Sequence, residues 1–90
     1  MRVTFATDPW EEYLYWQTAD RKILKRINLL IRDIMRDDSD GGIGKPERLR
    51  GDLSGFTSRR IDDEHRLVYR VDNDAGSLLI AQCRYHYSVR

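Results

Sequence analysis

The feature that most constrains this chain is an amphipathic segment that covers residues 20–36. Its isoleucines and leucines recur at intervals of three and four residues, which is the spacing of one face of an α-helix. These apolar positions are Ile23, Ile27, Leu30, Ile31 and Ile34. Asp20 stands before them, where its carboxylate can accept hydrogen bonds from the free N–H groups of a first turn. A helix with one apolar face buries that face against a second layer, which the remaining residues must supply.

The residues before this segment predict a short strand and a first helix. Residues 2–6 alternate and include β-branched and aromatic side chains, as half-buried strands do. Pro9 follows Thr7 and Asp8, and proline at the first helical position after a capping residue is typical of a helix start. We therefore expect a helix over residues 9–18, joined to the second helix by a short turn.

The second half of the chain predicts β-structure. A glycine-rich loop over residues 37–44 and a short turn over residues 45–49 come first. Three runs typical of strands then cover residues 56–61, 65–71 and 78–87. The expected order is β-α-α-β-β-β. Two helices on one face of a small, mostly antiparallel sheet form an α+β architecture, and all 90 residues belong to one domain.

The composition excludes several kinds of protein. A single cysteine, Cys83, rules out an internal disulfide, and no spacing of His, Asp and Glu is typical of a metal centre. No apolar run is long enough to cross a membrane, and charges interrupt residues 1–20, where a signal peptide would need an apolar run. We expect a cytoplasmic protein without a cofactor, in which Cys83 is a small buried apolar residue.

Basic residues are concentrated between residues 43 and 60, which carry five of them against two acids. They are Lys45, Arg48, Arg50, Arg59 and Arg60. Arginine can hold a phosphate through two parallel hydrogen bonds, so the cluster is compatible with a nucleic-acid contact. A solvated surface without any partner accounts for the same cluster.

The alternation of the last two strands separates a core face from an open face, because neighbouring side chains of a strand point to opposite sides. Leu67, Tyr69 and Val71 share the expected core face of the first strand. If the smaller side chains of the second strand face the core, the core set is Leu79, Ala81, Cys83 and Tyr85. The open face then collects Arg60, Arg66, Arg84 and His86. His65 has the opposite parity from Arg66, which favours a structural role for His65.

An open face with several arginines and a histidine suits a phosphodiester. Arginines stabilise the additional charge of the transition state, and histidine can move a proton near neutral pH. Glu47, in the basic loop, is the nearest candidate for a base. RNA brings its own nucleophile, the 2′-hydroxyl, so a base, a cationic clamp and an acid would suffice. The residues alone leave open both RNA cleavage and a non-catalytic binding module.

Six short motifs, taken together, resemble one family over nearly the whole chain. They are YLYW at 13–16, GKPERL at 44–49, LSGF at 53–56, SRRI at 58–61, EHRLVY at 64–69 and CRYHY at 83–87. Their order and spacing resemble those of YoeB-type toxins in the Txe/YoeB family, within the RelE/ParE superfamily of toxin–antitoxin systems. The resemblance implies a RelE-like, microbial-RNase-like fold and an mRNA interferase that cuts mRNA in the ribosomal A site.

The same resemblance implies a role for individual residues. Glu47 matches the general base for the 2′-hydroxyl, Arg66 the arginine on the pentacoordinate phosphate, and His86 the general acid for the 5′-oxygen. Tyr87 matches a tyrosine that orients the substrate. Contacts to RNA or ribosome are expected from Lys45, Arg50, Arg59, Arg60 and Arg84. The expected products carry a 5′-hydroxyl and a 2′,3′-cyclic or 3′-phosphate.

The partners implied by the resemblance are a YefM-type antitoxin, the ribosome with its mRNA, a second copy of the chain, and operon DNA through the antitoxin complex only. Two departures from the family pattern stand in the sequence. Residues 88–90 follow the His-Tyr pair, and Thr57 replaces a common aromatic. The alternative from another class is a non-catalytic, ParE-like toxin, which would need neither Glu47 nor His86.

Overall fold

The order of helices and strands follows the predicted α+β architecture, with one additional strand. The computed structural model of the chain describes residues 1–37 and 41–86. Its elements are β1 (Arg2–Phe5), α1 (Thr7–Ala19), α2 (Arg21–Arg36), β2 (Glu47–Arg48), β3 (Thr57–Arg60), β4 (Arg66–Asp72) and β5 (Ser77–Gln82). A 3₁₀ turn, Gly51–Leu53, lies between β2 and β3. The predicted fold class is confirmed, and β2 replaces part of the turn expected over residues 45–49.

One five-stranded sheet organises the described residues, in the spatial order β1-β5-β4-β3-β2. β1 pairs with β5 in parallel, and the three other neighbouring pairs are antiparallel. The two helices connect β1 to β2, so the chain passes from one edge of the sheet to the other before the last three strands fill the middle. This topology brings β2, with Glu47, to an outer edge of the sheet next to β3.

The two helix starts differ in how their free N–H groups are satisfied. α1 begins at Thr7, earlier than predicted, and Ala6 at its N-cap makes no side-chain hydrogen bond. Pro9 is therefore the third helical residue, still within the first turn, where a missing N–H costs nothing. α2 begins as predicted, because Asp20 accepts hydrogen bonds from the backbone nitrogens of Lys22 (2.9 Å) and Ile23 (3.3 Å).

The core lies between the helices and one face of the sheet. Its buried members from α1, α2, β4 and β5 and the loops beside them are Trp16, Ile27, Leu30, Ile34, Ile61, Leu67, Tyr69, Leu78, Ile80 and Cys83. The predicted apolar stripe of α2 and the predicted core parity of β4 are thus both confirmed. Each fully buried aliphatic side chain contributes about 1.5–3 kcal/mol to stability, so this face is the main source of stability.

A β-bulge changes the parity of β5. Val68 pairs with Gln82 and Tyr69 pairs with Ile80, which leaves Ala81 as an extra residue between the two pairs. Leu78 and Ile80 consequently face the core, and so does Cys83 beyond the bulge. Of the predicted core set Leu79, Ala81, Cys83 and Tyr85, only Cys83 belongs to the buried core, and Tyr85 is exposed. The prediction fails because one extra residue reverses the alternation.

None of the helices within residues 1–37 and 41–86 combines the length and the apolar composition that crossing a membrane requires.

Candidate active site

The register of the sheet brings two predicted arginines together on the face without helices. Arg60 of β3 is the cross-strand partner of Arg66 of β4. One row along, Glu47 of β2 is opposite Ser58 of β3, and directly opposed residues of a sheet point to the same side. Ser58 and Arg60 share a face by alternation, so Glu47, Arg60 and Arg66 project from the same face.

The sheet register fixes the separation of Glu47 and Arg66. The two residues are two strands and two residues apart, which corresponds to about 12 Å between their backbones. Glu47 is exposed on the edge strand, whereas Arg66 is buried, with 8% of its surface accessible to solvent.

The loop before Glu47 (residues 41–46, called the Glu47 loop below) needs unusual backbone geometry. Gly44 and Lys45 both have positive φ values, +82° and +52°, and the carbonyl of Gly44 accepts a hydrogen bond from the Arg60 backbone nitrogen at 2.7 Å. A Cβ on Gly44 would lie 2.8 Å from Leu30 Cδ2. The loop is therefore fitted against α2 on one side and against β3 on the other, and it delivers Glu47 to the sheet edge.

Arg59 holds the Glu47 loop from inside the protein. Its side chain is fully buried; Nη1 donates to Asp33 Oδ2 (2.6 Å) and to the Ile43 carbonyl (3.1 Å), and Nε donates to the Tyr69 hydroxyl (2.9 Å). Asp33 Oδ2 also accepts from the Ile43 backbone nitrogen at 3.1 Å. The prediction that Arg59 contacts RNA is wrong for this structure, because β3 points Arg59 to the helix side of the sheet.

The charge of Asp33 is stabilised by these contacts. The hydrogen bond from Arg59, followed by that from the Ile43 backbone, holds the pKa of the Asp33 carboxyl below its ordinary value. The network also leaves no space for a side chain at Gly42, where a Cβ would lie 2.5 Å from Arg59 Nη1. The Arg59–Asp33 pair is thus a structural support of the Glu47 loop, in contact with Tyr69 of the core.

The turn between β3 and β4 directs Arg66. Asp62 Oδ1 accepts hydrogen bonds from the backbone nitrogens of Glu64 (2.9 Å) and His65 (2.7 Å), a geometry that aspartate favours in turns. Arg66 Nη1 donates to the Asp62 carbonyl (2.8 Å) and to the His65 carbonyl (3.0 Å). The Arg66 guanidinium is therefore tied to the turn that precedes its own strand.

The chain beyond β5 (residues 83–86, called the C-terminal segment below) is bonded to the start of β4. The Arg66 backbone nitrogen donates to the Tyr85 carbonyl at 3.0 Å, and the Tyr85 backbone nitrogen donates to His65 Nδ1 at 2.7 Å. Gln82 Nε2 donates to the carbonyls of Arg84 (2.9 Å) and Tyr85 (3.0 Å). These bonds bring exposed His86, which follows Tyr85, to the end of β4 where Arg66 lies.

Cys83 anchors the segment to α1. Its backbone nitrogen donates to Glu12 Oε1 (2.9 Å), its carbonyl accepts from Trp16 Nε1 (2.9 Å), and its thiol contacts the Pro9 carbonyl (3.5 Å). Burial raises the pKa of the Cys83 thiol to about 12, and burial also raises the pKa of Glu12. The prediction of a small buried apolar role for Cys83 is confirmed by its complete burial.

Arg84 does not join the open face. Its guanidinium carbon lies 3.8 Å from the ring centroid of Tyr15 and 4.6 Å from that of Tyr85, so the side chain is stacked between α1 and the C-terminal segment. The parity prediction is wrong for Arg84 because β5 ends at Gln82, before regular alternation could reach it.

The other residues predicted to contact RNA are exposed. Lys45 and Arg50 lie in loops, and Arg60 lies on β3. Tyr87 and residues 88–90 lie outside the described residues.

Two residues that organise the site were missed by sequence reasoning. Gln82 ends an apolar strand, and no sequence signal indicated that its amide would donate to the carbonyls two and three residues further along. Asp62 lies between two predicted strands. Its position is a recognisable turn signal, because an aspartate side chain can accept from the backbone N–H groups two and three residues further along.

Concave surfaces of the described residues lie both beside this site and away from it. One of about 510 Å³ is lined by His65, Arg84 and Tyr85 among others. An open groove of about 680 Å³ lies between β1 and the two helices, and none of the predicted site residues lines it. Within residues 1–37 and 41–86, no group of three or more His, Cys, Asp or Glu side chains is arranged to hold a metal ion.

Comparison with known proteins identifies the family of this chain. The family described as "YoeB-like toxin of bacterial type II toxin-antitoxin system" matches residues 5–87. Toxin YoeB of Streptomyces coelicolor is 59% identical over 87 residues, which are 97% of this chain and 100% of that protein. The solved YoeB/ParE toxin from Agrobacterium tumefaciens is 44% identical with a TM-score of 0.92, over 97% of this chain and 100% of that one.

Two further solved structures come from Staphylococcus aureus, a heterotetrameric YoeB–YefM complex and a YoeB dimer. In both, the matched chain is 47% identical with a TM-score of 0.88, over 97% of this chain and 98% of that one. The matching family model and the fold thus define a toxin of a bacterial toxin–antitoxin system. Within that class, the chain belongs to the YoeB family.

Proposed function

We propose that this toxin is a ribosome-dependent endoribonuclease that cuts mRNA in the A site and thereby stops translation. Glu47 is the general base for the 2′-hydroxyl, Arg66 binds the phosphate, and His86 is the general acid. Tyr87 orients the substrate. The supporting observation is that Arg60 and Arg66 are cross-strand partners on the face that also presents Glu47, with the residue before His86 bonded to the Arg66 backbone.

The proposed reaction is an internal transfer of the phosphoryl group. Glu47 removes the proton of the 2′-hydroxyl, and the resulting oxygen attacks the adjacent phosphorus. Arg66 stabilises the additional negative charge of the pentacoordinate phosphate. Electrostatic stabilisation of this kind is usually the largest single contribution to the rate enhancement of an enzyme. The bond to the 5′-oxygen breaks as His86 supplies its proton. The products are a 2′,3′-cyclic phosphate, which water can open to a 3′-phosphate, and a 5′-hydroxyl.

The nucleophile belongs to the substrate in this scheme, so the protein only has to supply a base, a cation and an acid. We therefore expect cleavage to continue when divalent ions are chelated, provided that the ribosomes remain intact. Arg60, exposed beside Arg66, and Lys45 and Arg50 in the adjoining loops supply positive charge for the RNA backbone. Arg59 and Arg84 are not part of this proposed surface.

Primer extension on mRNA with purified ribosomes tests the proposal. Glu47→Gln, Arg66→Lys and His86→Gln should each lower the single-turnover cleavage rate by on the order of 100-fold or more. Matched controls exist on the same surface. Asp52→Asn changes an exposed acid in the adjoining 3₁₀ turn, and Arg70→Lys changes an exposed arginine four residues along β4 from Arg66. Both controls should cleave at the wild-type rate.

Two results would overturn the proposal. One is an absence of cleavage by the wild-type protein on programmed ribosomes. The other is a wild-type cleavage pattern from the His86 and Glu47 variants. If the protein stops cell growth while translation continues, and if DNA-damage signalling rises, the non-catalytic ParE-like alternative replaces it.

We propose further that the chain pairs with a YefM-type antitoxin and forms a dimer, as the Staphylococcus aureus proteins do. The antitoxin would neutralise the toxin and bind operon DNA. Co-expression with the neighbouring antitoxin gene, followed by light scattering on the purified complex, tests this pairing. Recovery of the toxin without the antitoxin, from cells whose growth it does not impair, would contradict it.

A further inference from the structure

We propose that His65 is a positioning residue for the acid of this site: its imidazole fixes the backbone of Tyr85 and thereby sets the place of His86 relative to Arg66. The inference rests on the proposed function, in which His86 protonates the leaving oxygen. It adds a residue whose side chain touches neither the phosphate nor the leaving group.

The first observation is the hydrogen bond at 2.7 Å from the Tyr85 backbone nitrogen to His65 Nδ1. A ring nitrogen that accepts from an N–H must carry its lone pair, so the imidazole is neutral and its proton is on Nε2. Glu64 Oε1, at 3.6 Å from Nε2, faces that proton. The ring itself is buried and packs edge-to-face on Trp16 with 4.8 Å between centroids. His65 is therefore a rigid acceptor in a fixed tautomer.

The second observation is that two consecutive residues, His65 and Arg66, bind both backbone polar groups of Tyr85. The His65 side chain accepts the Tyr85 N–H, and the Arg66 backbone donates to the Tyr85 carbonyl at 3.0 Å. Tyr85 is thus clamped by the proposed phosphate-binding residue and its immediate neighbour. His86 is the next residue in the chain, so its backbone is held beside Arg66 by one hydrogen bond to Arg66 and one to its neighbour His65.

The third observation is the strained backbone conformation of Tyr85. Its φ of +65° is in the left-handed region, which costs a non-glycine residue about 1 kcal/mol or more. β5 has already ended at Gln82, so regular strand pairing does not stabilise this peptide. A strained backbone conformation persists only where the surroundings determine it, and His65 supplies one of the contacts that do so.

A simpler explanation is that His65 only fills space beside Trp16. The two explanations differ in what an amide side chain at this position can do. In His65→Asn, the side-chain oxygen takes the place of Nδ1 and can still accept from Tyr85. In His65→Gln, the amide lies one bond further out, near the place of Nε2, and cannot. Gln is nearer to the volume of His, so a space-filling role predicts the better activity for His65→Gln.

NMR and ribosome assays together test the proposal. In the wild-type protein, a coupling across the hydrogen bond should join the Tyr85 amide nitrogen to His65 Nδ1. Exchange of the Tyr85 amide with solvent should be slow in wild type and His65→Asn and at least tenfold faster in His65→Gln. The cleavage rate should fall by about 10–100-fold in His65→Gln, as misplacement of a catalytic group does, with KM changed by less than about twofold. His65→Asn should recover most of that loss.

Several results would overturn the proposal. They are the absence of the coupling in wild type, equal rates for wild type and His65→Gln, and a higher rate for His65→Gln than for His65→Asn. The coupling needs no variant, so the proposal stays testable if a variant folds poorly. The two proposals fail differently. A wild-type protein that never cleaves mRNA overturns both, whereas an active wild type with an unaffected His65→Gln overturns only the role of His65.

Discussion

The two proposed catalytic ends of this site are supported in different ways. The Glu47 loop is held from within the protein by Arg59, a fully buried arginine paired with Asp33 at 2.6 Å. The C-terminal segment is held outside regular secondary structure. Arg66 and Gln82 donate hydrogen bonds to its carbonyls, and His65 accepts one from the Tyr85 backbone nitrogen. The proposed base, Glu47, is thus tied to the core of the fold, whereas the proposed acid, His86, is tied to a few backbone groups at the end of the sheet.

This difference separates stability from activity. Removal of one partner of a buried ion pair leaves the other charge uncompensated, which lowers the free energy of unfolding of the whole domain. Loss of a hydrogen bond to a terminal segment costs little stability, because water can replace it, but the segment carries a proposed catalytic group. Substitutions in the first support should therefore lower the free energy of unfolding, and substitutions in the second should mainly lower activity in a protein that keeps its stability.

The largest expected effect is that of Arg59→Leu. It should lower the free energy of unfolding by about 3 kcal/mol, because Asp33 loses its buried partner and Tyr69 loses the donor to its hydroxyl. Urea denaturation followed by circular dichroism measures this loss. The control is Arg60→Leu, which changes the exposed neighbour and should alter stability by no more than about 0.5 kcal/mol. Equal stability of the two variants would contradict a supporting role for Arg59.

An intermediate effect is expected from acid. Since the Arg59 hydrogen bond lowers the pKa of Asp33 in the folded protein, the charged pair contributes stability above the ordinary value of 3.8, and this contribution is lost as the pH falls through the lower folded pKa. The loss is smaller than that in Arg59→Leu, because Arg59 keeps its bonds to Tyr69 and to the Ile43 carbonyl. Urea midpoints measured from neutral pH to well below 3.8 should fall less steeply for Asp33→Asn than for wild type. If the urea midpoints of the two proteins fell equally steeply with pH, the assignment of the acid-dependent stability to Asp33 would be refuted.

The smallest effect on stability is expected from Gln82→Met, which removes the two donors to the Arg84 and Tyr85 carbonyls while keeping a side chain of similar length. Stability should fall by less than about 1 kcal/mol, while mRNA cleavage should slow by on the order of tenfold. Gln17→Met on the exposed face of α1 is the matched control and should change neither quantity. A loss of stability comparable to that of Arg59→Leu would remove the distinction between the two supports.

Much of the architecture follows from local patterns. The apolar spacing of residues 23–34, the capping aspartate at position 20 and the alternation of β4 depend on contacts within one element, so the order of elements and the core face of β4 were predictable. The sequence motifs also predicted the family, and family membership is confirmed. The assignment of Glu47, Arg66 and His86 to catalytic roles stays a prediction.

Arg59 and Arg60 show what only long-range contacts could decide. The two are neighbours in the sequence and equally basic, yet one is fully buried and the other is exposed. Which of them turns inward depends on the register of β3 against β4 and on Asp33, 26 residues away. The same applies to the parity of β5, which one bulge residue reverses, and to the partner of His65, 20 residues away. Alternation is a local property of the chain, but register, bulges and buried ion pairs depend on which distant segments pack together.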